Sequence, residues 1–162
     1  MKKILLAIAG LLIVANLHAQ ELPDTEIKDV NSGKKIAFNQ TIEKGKITVI
    51  SFWATWCIPC KKEIKSMSMK LPAWKKEADF NYITISIDEA RAEGIVRTYA
   101  ISQGWTFPFY IDANSDLKRS LSFQNVPYTM IIDKSGKVVF THTGYEEGGE
   151  SEIFAKVKEL SK

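Results

Sequence analysis

The spacing of apolar residues changes several times along the 162-residue chain, and each change predicts a different element. In KITVISFW, residues 46–53, β-branched and aromatic side chains run almost unbroken, the pattern of a strand covered on both faces. YITISID, residues 82–88, repeats that pattern. Between them a helix is predicted from Ile58 to Ala78. A break is expected near Leu71-Pro72, because proline removes a helix hydrogen bond and disfavours helix in the residue before it. Residues 24–38, with Asn31-Ser32-Gly33 in the middle, read as a short hairpin. Glu89 to Gln103 fits a helix with Ile95, Val96, Tyr99 and Ala100 on its buried face, ended by Gly104. A short strand over 109–111 and a short helix over 115–121 follow. Tyr128 to Asp133 and Lys137 to His142 make a second hairpin across Lys134-Ser135-Gly136. A last helix, 150–160, buries Ile153, Phe154, Val157 and Leu160. Strands alternating with helices, then a hairpin and a helix, give an α/β sandwich with a mixed sheet.

The first twenty residues do not belong to that pattern. Lys2 and Lys3 precede an apolar run from Ile4 to Ala15, and small Ala19 precedes Gln20, the layout of a secretory signal peptide. The run is too short for the roughly 20 residues of a spanning helix. Cleavage is expected after Ala19, leaving residues 20–162 as one domain. Leu17 stands where a small residue is preferred, so an uncleaved segment serving as an N-terminal anchor is the alternative. The formal net charge of +3 includes the two leader lysines. No basic stripe with interleaved aromatics is visible, which argues against a nucleic-acid surface. Lys61, Lys62, Lys65, Lys75 and Lys76 read as solvated helix faces.

Candidate chemistry concentrates in SFWATWCIPCKKE, residues 51–63, which holds both cysteines of the chain. They fall where the first buried strand hands over to its helix. The first N–H groups of a helix lack partners and carry positive partial charge, so an anion there is stabilised. A Cys57 thiolate is such an anion, and its pKa should fall below the free value of about 8.5. Pro59 is tolerated in the first turn, where its missing N–H has no partner to lose. Cys60 lies one turn on, within reach for a disulfide.

Three uses of such a pair can be weighed. A structural staple between residues three apart closes too small a loop to add much stability. Zinc needs more ligands than two cysteines and His142 supply. Copper(I) held by Cys57, Cys60 and His142, in a delivery protein, is a possible non-enzymatic use. A reversible electron carrier fits the placement best.

The string from Phe52 to Glu63, followed in order by Ser86-Ile87-Asp88, Thr106-Phe107-Pro108, Val126-Pro127 and Ile131 to Lys137, resembles the thioredoxin-like ResA/TlpA family of exported thiol-disulfide oxidoreductases over most of residues 22–162. The resemblance implies a thioredoxin-like fold, a mixed β-sheet flanked by helices, with an N-terminal β-hairpin extension and a central insert. It implies Cys57 as attacking thiol and Cys60 as resolving thiol. It also implies a cis Val126-Pro127 bond facing the cysteines, with the Val126 backbone left free for an extended substrate. Trp56, Pro59 and Pro127 would form an apolar platform around the reacting sulfur, and Trp53 is assigned to the core.

Thioredoxins proper carry a buried aspartate six residues before the first cysteine, where this chain has Ser51. Glu63, three residues past Cys60, is the expected substitute that relays the proton Cys60 must lose. The alternative is a solvated glutamate at the positive end of the helix. Lys65 stands where many relatives have a helix-kinking proline, which puts the helix path in question. By resemblance the activity is mainly reductive. Electrons come from a membrane-embedded donor and pass to disulfides of periplasmic or other extracytoplasmic proteins, often in cytochrome c maturation. A disulfide-forming oxidant on the same fold stays open. A peroxidase is disfavoured, since no separate cysteine sits in a threonine-flanked setting. No cofactor beyond the Cys57-Cys60 pair, no bound metal and a monomer are expected.

Overall fold

Strand β3 (Ile47–Trp53) is buried at all seven positions and organises the molecule. The computed structural model describes residues 22–162; the signal peptide expected over 1–19 lies outside the described residues. Ahead of β3 come β1 (Glu26–Asp29) and β2 (Lys35–Ala37). After it come α1 (Ile58–Glu77), β4 (Phe80–Ser86), α2 (Glu93–Ser102), β5 (Phe109–Ile111), α3 (Asp116–Ser120), β6 (Tyr128–Ile132), β7 (Val138–Thr143) and α4 (Gly149–Ser161). Among the described residues the strands form one seven-stranded sheet in the order β2-β1-β5-β4-β3-β6-β7. β3, β4 and β5 run parallel, and the remaining neighbours pair antiparallel. The predicted α/β class and mixed sheet are therefore observed. The N-terminal hairpin joins the sheet through β1 against β5, and the segment between β4 and β6 is the central insert, adding that strand.

Alternation along β3 builds two apolar layers. Val49 and Trp53 face α1, α2 and α4, where Ile64, Met67, Val96, Phe154 and Val157 pack. Ile50 and Phe52 face the opposite side, with Phe38, Leu117 and Phe123. Helix α4 lies on α1 through the stacked rings of Trp74 and Phe154, 4.4 Å apart.

Both hairpin turns follow the residues that suggested them. Asp29 accepts the Ser32 N–H at 2.7 Å, and Gly33 takes φ 73°, a conformation that favours glycine.

Several expectations need correction. Helix α1 continues through Leu71 and Pro72. Leu71 and Trp74 are buried on either side of the exposed proline, and this anchoring outweighs a local penalty of about 3 kcal/mol. The same helix passes Lys65 unbroken. Residues 89–103 are not one helix: a 3-10 turn over Ala90–Ala92 precedes α2. Val96 and Ala100 bury as expected, but Ile95 is 61% exposed, because this ten-residue helix buries only a narrow stripe of its surface. Leu160 is only half-buried. Among the described residues no helix is long and apolar enough to cross a membrane.

Candidate active site

Strand β3 ends at Trp53, and the chain turns through Ala54–Trp56 before α1 begins. The turn is closed by the Cys57 N–H donating to the Ala54 carbonyl at 3.0 Å. It is braced by Asp88, which accepts the Thr55 N–H at 2.8 Å and the Thr55 hydroxyl at 2.7 Å. Asp88 is itself fixed by the Ser86 hydroxyl at 2.6 Å. In the sequence Asp88 is only a landmark of the family resemblance; its bracing role depends on a contact across 33 residues.

Cys57 caps α1. Its backbone is extended, with φ −89° and ψ 101°, and its sulfur accepts the Cys60 N–H at 3.3 Å. The two sulfurs are bonded, with the Cα atoms 5.3 Å apart. Cys60 is fully buried and Cys57 is 4% exposed, whereas Trp56 and Ile58 are each 68% exposed. Pro59 is exposed as well. A nearly buried disulfide thus lies within an exposed apolar rim. Ile58 belongs to that rim and was not singled out from sequence.

Antiparallel pairing of β3 with β6 sets Phe52 opposite Tyr128. That register carries Val126 and Pro127 to the end of the sheet where Cys57 sits, and the bond between them is cis. Pro127 is buried, so the exposed platform consists of Trp56, Ile58 and Pro59 rather than including Pro127. The Pro127 carbonyl accepts the Gly144 N–H at 2.8 Å. Among the described residues the Val126 N–H and carbonyl make no hydrogen bond. Trp53 is fully buried, as assigned.

Glu63 is not the solvated helix-end glutamate of the alternative reading; it is 1% exposed. Its Oε1 accepts the Ser51 hydroxyl at 2.9 Å and the Thr129 hydroxyl at 2.6 Å. The Tyr82 hydroxyl donates to Ser51 at 3.1 Å. Burial pushes the Glu63 carboxyl above its usual range, and the Thr129 and Ser51 bonds only partly offset that. Burial also raises the Tyr82 phenol. Ser51, in place of an aspartate, therefore serves as donor to a carboxylate supplied from the helix.

His142 lies exposed on β7, opposite Thr129. Cys57, Cys60 and His142 do not gather into a metal-holding cluster among the described residues, so the copper site is corrected: sequence gives no distance between β7 and the motif. Lys62 and Lys65 are exposed as expected, but Lys61 is half-buried, its ammonium over the Tyr99 ring at 5.1 Å.

The model of the AhpC/TSA family matches residues 19–141. Thiol-disulfide oxidoreductase ResA of Bacillus thuringiensis is 30% identical over 137 residues, covering 85% of this chain and 76% of that protein. ResA of Bacillus subtilis is 30% identical over 127 residues, covering 78% and 68%. The solution structure of a thioredoxin-like protein from Porphyromonas gingivalis superposes with a TM-score of 0.77 at 38% identity, covering 88% of this chain and 92% of that one. With its thioredoxin-like fold and bonded cysteine pair, the chain belongs to the AhpC/TSA family, among its thioredoxin-like thiol-disulfide oxidoreductases.

Proposed function

We propose that this oxidoreductase is exported and reduces disulfides in extracytoplasmic proteins by cycling Cys57 and Cys60. The observation that carries the reading is the Cys60 N–H aimed at the Cys57 sulfur at the capping position of α1. A charged acceptor there is held by helix-end N–H groups, so the thiolate forms readily. Cys57 thiolate attacks one sulfur of a partner disulfide and releases the other as a thiolate. Cys60 then loses its proton to Glu63 and attacks the Cys57 sulfur. The partner leaves fully reduced, carrying two electrons, and the Cys57-Cys60 disulfide remains. A membrane-embedded dithiol donor returns the pair to its reduced form. Trp56, Ile58 and Pro59 supply apolar contact to varied partners, and the Val126 backbone pairs with an extended partner strand beside the reacting sulfur.

Glu63 supports the reducing direction. A carboxylate buried one turn from Cys60 disfavours a thiolate there, and a reduced form that is less stabilised gives up electrons more readily. No cofactor other than the disulfide is needed for this chemistry, and a monomer suffices. Equilibration with defined thiol buffers tests the direction. A potential near that of thioredoxin, about −270 mV, is expected; one near the strong oxidants, about −120 mV, would reverse the assignment. Sequencing the mature N-terminus tests export. A start at Gln20 is expected, whereas Met1 would mean an anchored form. Trapped partners that include apocytochrome c would place the protein in cytochrome maturation.

A further inference from the structure

Two strands converge on one carboxyl oxygen, and a third reaches it through Ser51. Ser51 comes from β3 and Thr129 from β6, both donating to Glu63 Oε1, while Tyr82 from β4 donates to Ser51. All four side chains are buried, at 1% exposure for each. They lie within the apolar layer that Val49 and Trp53 build against α1. Well-packed apolar residues of similar volume are often at least as stable as a buried polar group of this kind, so stability gives no reason for the hydroxyls.

The heavy-atom geometry assigns the proton directions. The Ser51 oxygen accepts the Tyr82 proton, which leaves the single Ser51 proton for Glu63. An ionised carboxylate only accepts, and here two hydroxyls deliver to it. Both donate to the same oxygen, Oε1, and hydrogen bonds to a charged acceptor are stronger than those to a neutral one, so the pair stabilises the carboxylate more than the neutral carboxyl. The array is therefore arranged for the charged form, against a burial that favours the neutral one.

We infer that Thr129, and Tyr82 acting through Ser51, are positioning residues that keep Glu63 in its proton-accepting form one turn beyond Cys60. They thereby set the pH above which Cys60 can resolve a mixed disulfide. This inference rests on the proton relay proposed above. The other titratable groups facing Glu63 are Tyr82 on β4, His142 on β7, Glu150 at the start of α4, and Tyr145 in the loop before it. His142 favours the charged form and Glu150 opposes it, so His142→Gln serves as the background in which the pH profile is read.

The experiment mixes the reduced full chain with an aromatic disulfide such as dithionitrobenzoate. The first equivalent of released thiolate reports attack by Cys57, and the second reports resolution by Cys60. Thr129→Val removes the hydroxyl while keeping the shape. It should move the acidic limb of the second step upward by about one pH unit, a roughly tenfold loss at a fixed pH below the limb. Thr129→Ser should restore the profile, and Tyr82→Phe should shift it the same way by less. In the Glu63→Gln background Thr129→Val should add no further shift. If Glu63→Gln moves the limb and Thr129→Val leaves it in place, the positioning role falls and the relay stands. If Glu63→Gln leaves it in place, both fall. A loss spread evenly over both steps and every pH marks packing damage and also overturns the inference.

Discussion

Asp88 grips Thr55 twice, through its amide N–H at 2.8 Å and its hydroxyl at 2.7 Å, and so ties the cysteine loop to the end of β4. Replacing Asp88 with alanine leaves the buried Ser86 hydroxyl and the Thr55 N–H without their acceptor. A loss of about 2–4 kcal/mol is expected, because stranded buried donors cost more than the bond itself contributes. Urea unfolding of the oxidised protein measures it, and a shift under about 1 kcal/mol would mean the loop holds without the brace.

The proposed cycle needs a Cys57 thiol that ionises readily in the reduced protein, at the capping position of α1. Alkylation rate against pH should give a midpoint below the free value of about 8.5. Cys57→Ser should abolish turnover. Cys60→Ser should instead accumulate mixed disulfides through Cys57. Within the rim, Trp56→Ala should lower kcat/KM on protein disulfides about tenfold, a little over 1 kcal/mol, as expected for an exposed aromatic contact. A normal thiol titration would remove the electrostatic basis of the proposed cycle.

Glu63→Gln separates stability from redox poise. Burial is the main cause of the raised Glu63 pKa. The unfolded chain, with the lower pKa, releases this proton first, so the folded state loses stability as pH rises above the ordinary glutamate range. Glutamine keeps the shape without the charge. The variant should be more stable than the parent at pH 8, with the difference shrinking as pH falls toward 4. Its potential should also rise, by about 30 mV for each tenfold gain in thiolate stability. Thermal unfolding at the two pH values and a thiol-buffer titration check both effects, and a destabilised variant at pH 8 would contradict the first.

Glu150 has the opposite sign. Burial would raise its carboxyl, but the Lys70 ammonium, its own backbone N–H, Tyr145 and Ser66 together bring it down to about 2. Tyr145 donates to it at 2.9 Å, and Lys70 forms the ion pair that joins α4 to α1. A lowered pKa contributes stability that is present above the unfolded value near 4.5 and disappears as pH falls toward 2. Lys70 is 41% exposed, so solvent screening reduces the pair to on the order of 1 kcal/mol. Glu150→Gln should unfold more readily at pH 7 and converge with the parent near pH 2; acid-dependent circular dichroism reads this.

The order of elements was legible because the apolar period changes at almost every boundary: β5 falls at 109–111 and β3 one residue inside its predicted start. The proline in α1 misled, since local propensity says nothing about the packing of Leu71 and Trp74 that overrides it. Cys57 and Cys60 could be placed from the strand-to-helix handover alone. Glu63 could be assigned to their helix face, but its depth depends on Ser51 and Thr129, 78 residues apart. Asp88 and Ile58 were missed for the same reason: a brace and a rim are defined by what lies across the fold. The cis bond followed only from the family resemblance.

In the proposed cycle the atom that caps α1 is also the atom that reacts. When electrons arrive and the Cys57 sulfur becomes an anion, the Cys60 amide gains a charged acceptor and the opening turn tightens. When a partner seizes that sulfur, the turn loses its clasp. Exchange of the Cys60 amide hydrogen should therefore slow on reduction and quicken in the mixed disulfide, making local fraying of one helix a readout of where the enzyme stands in its cycle.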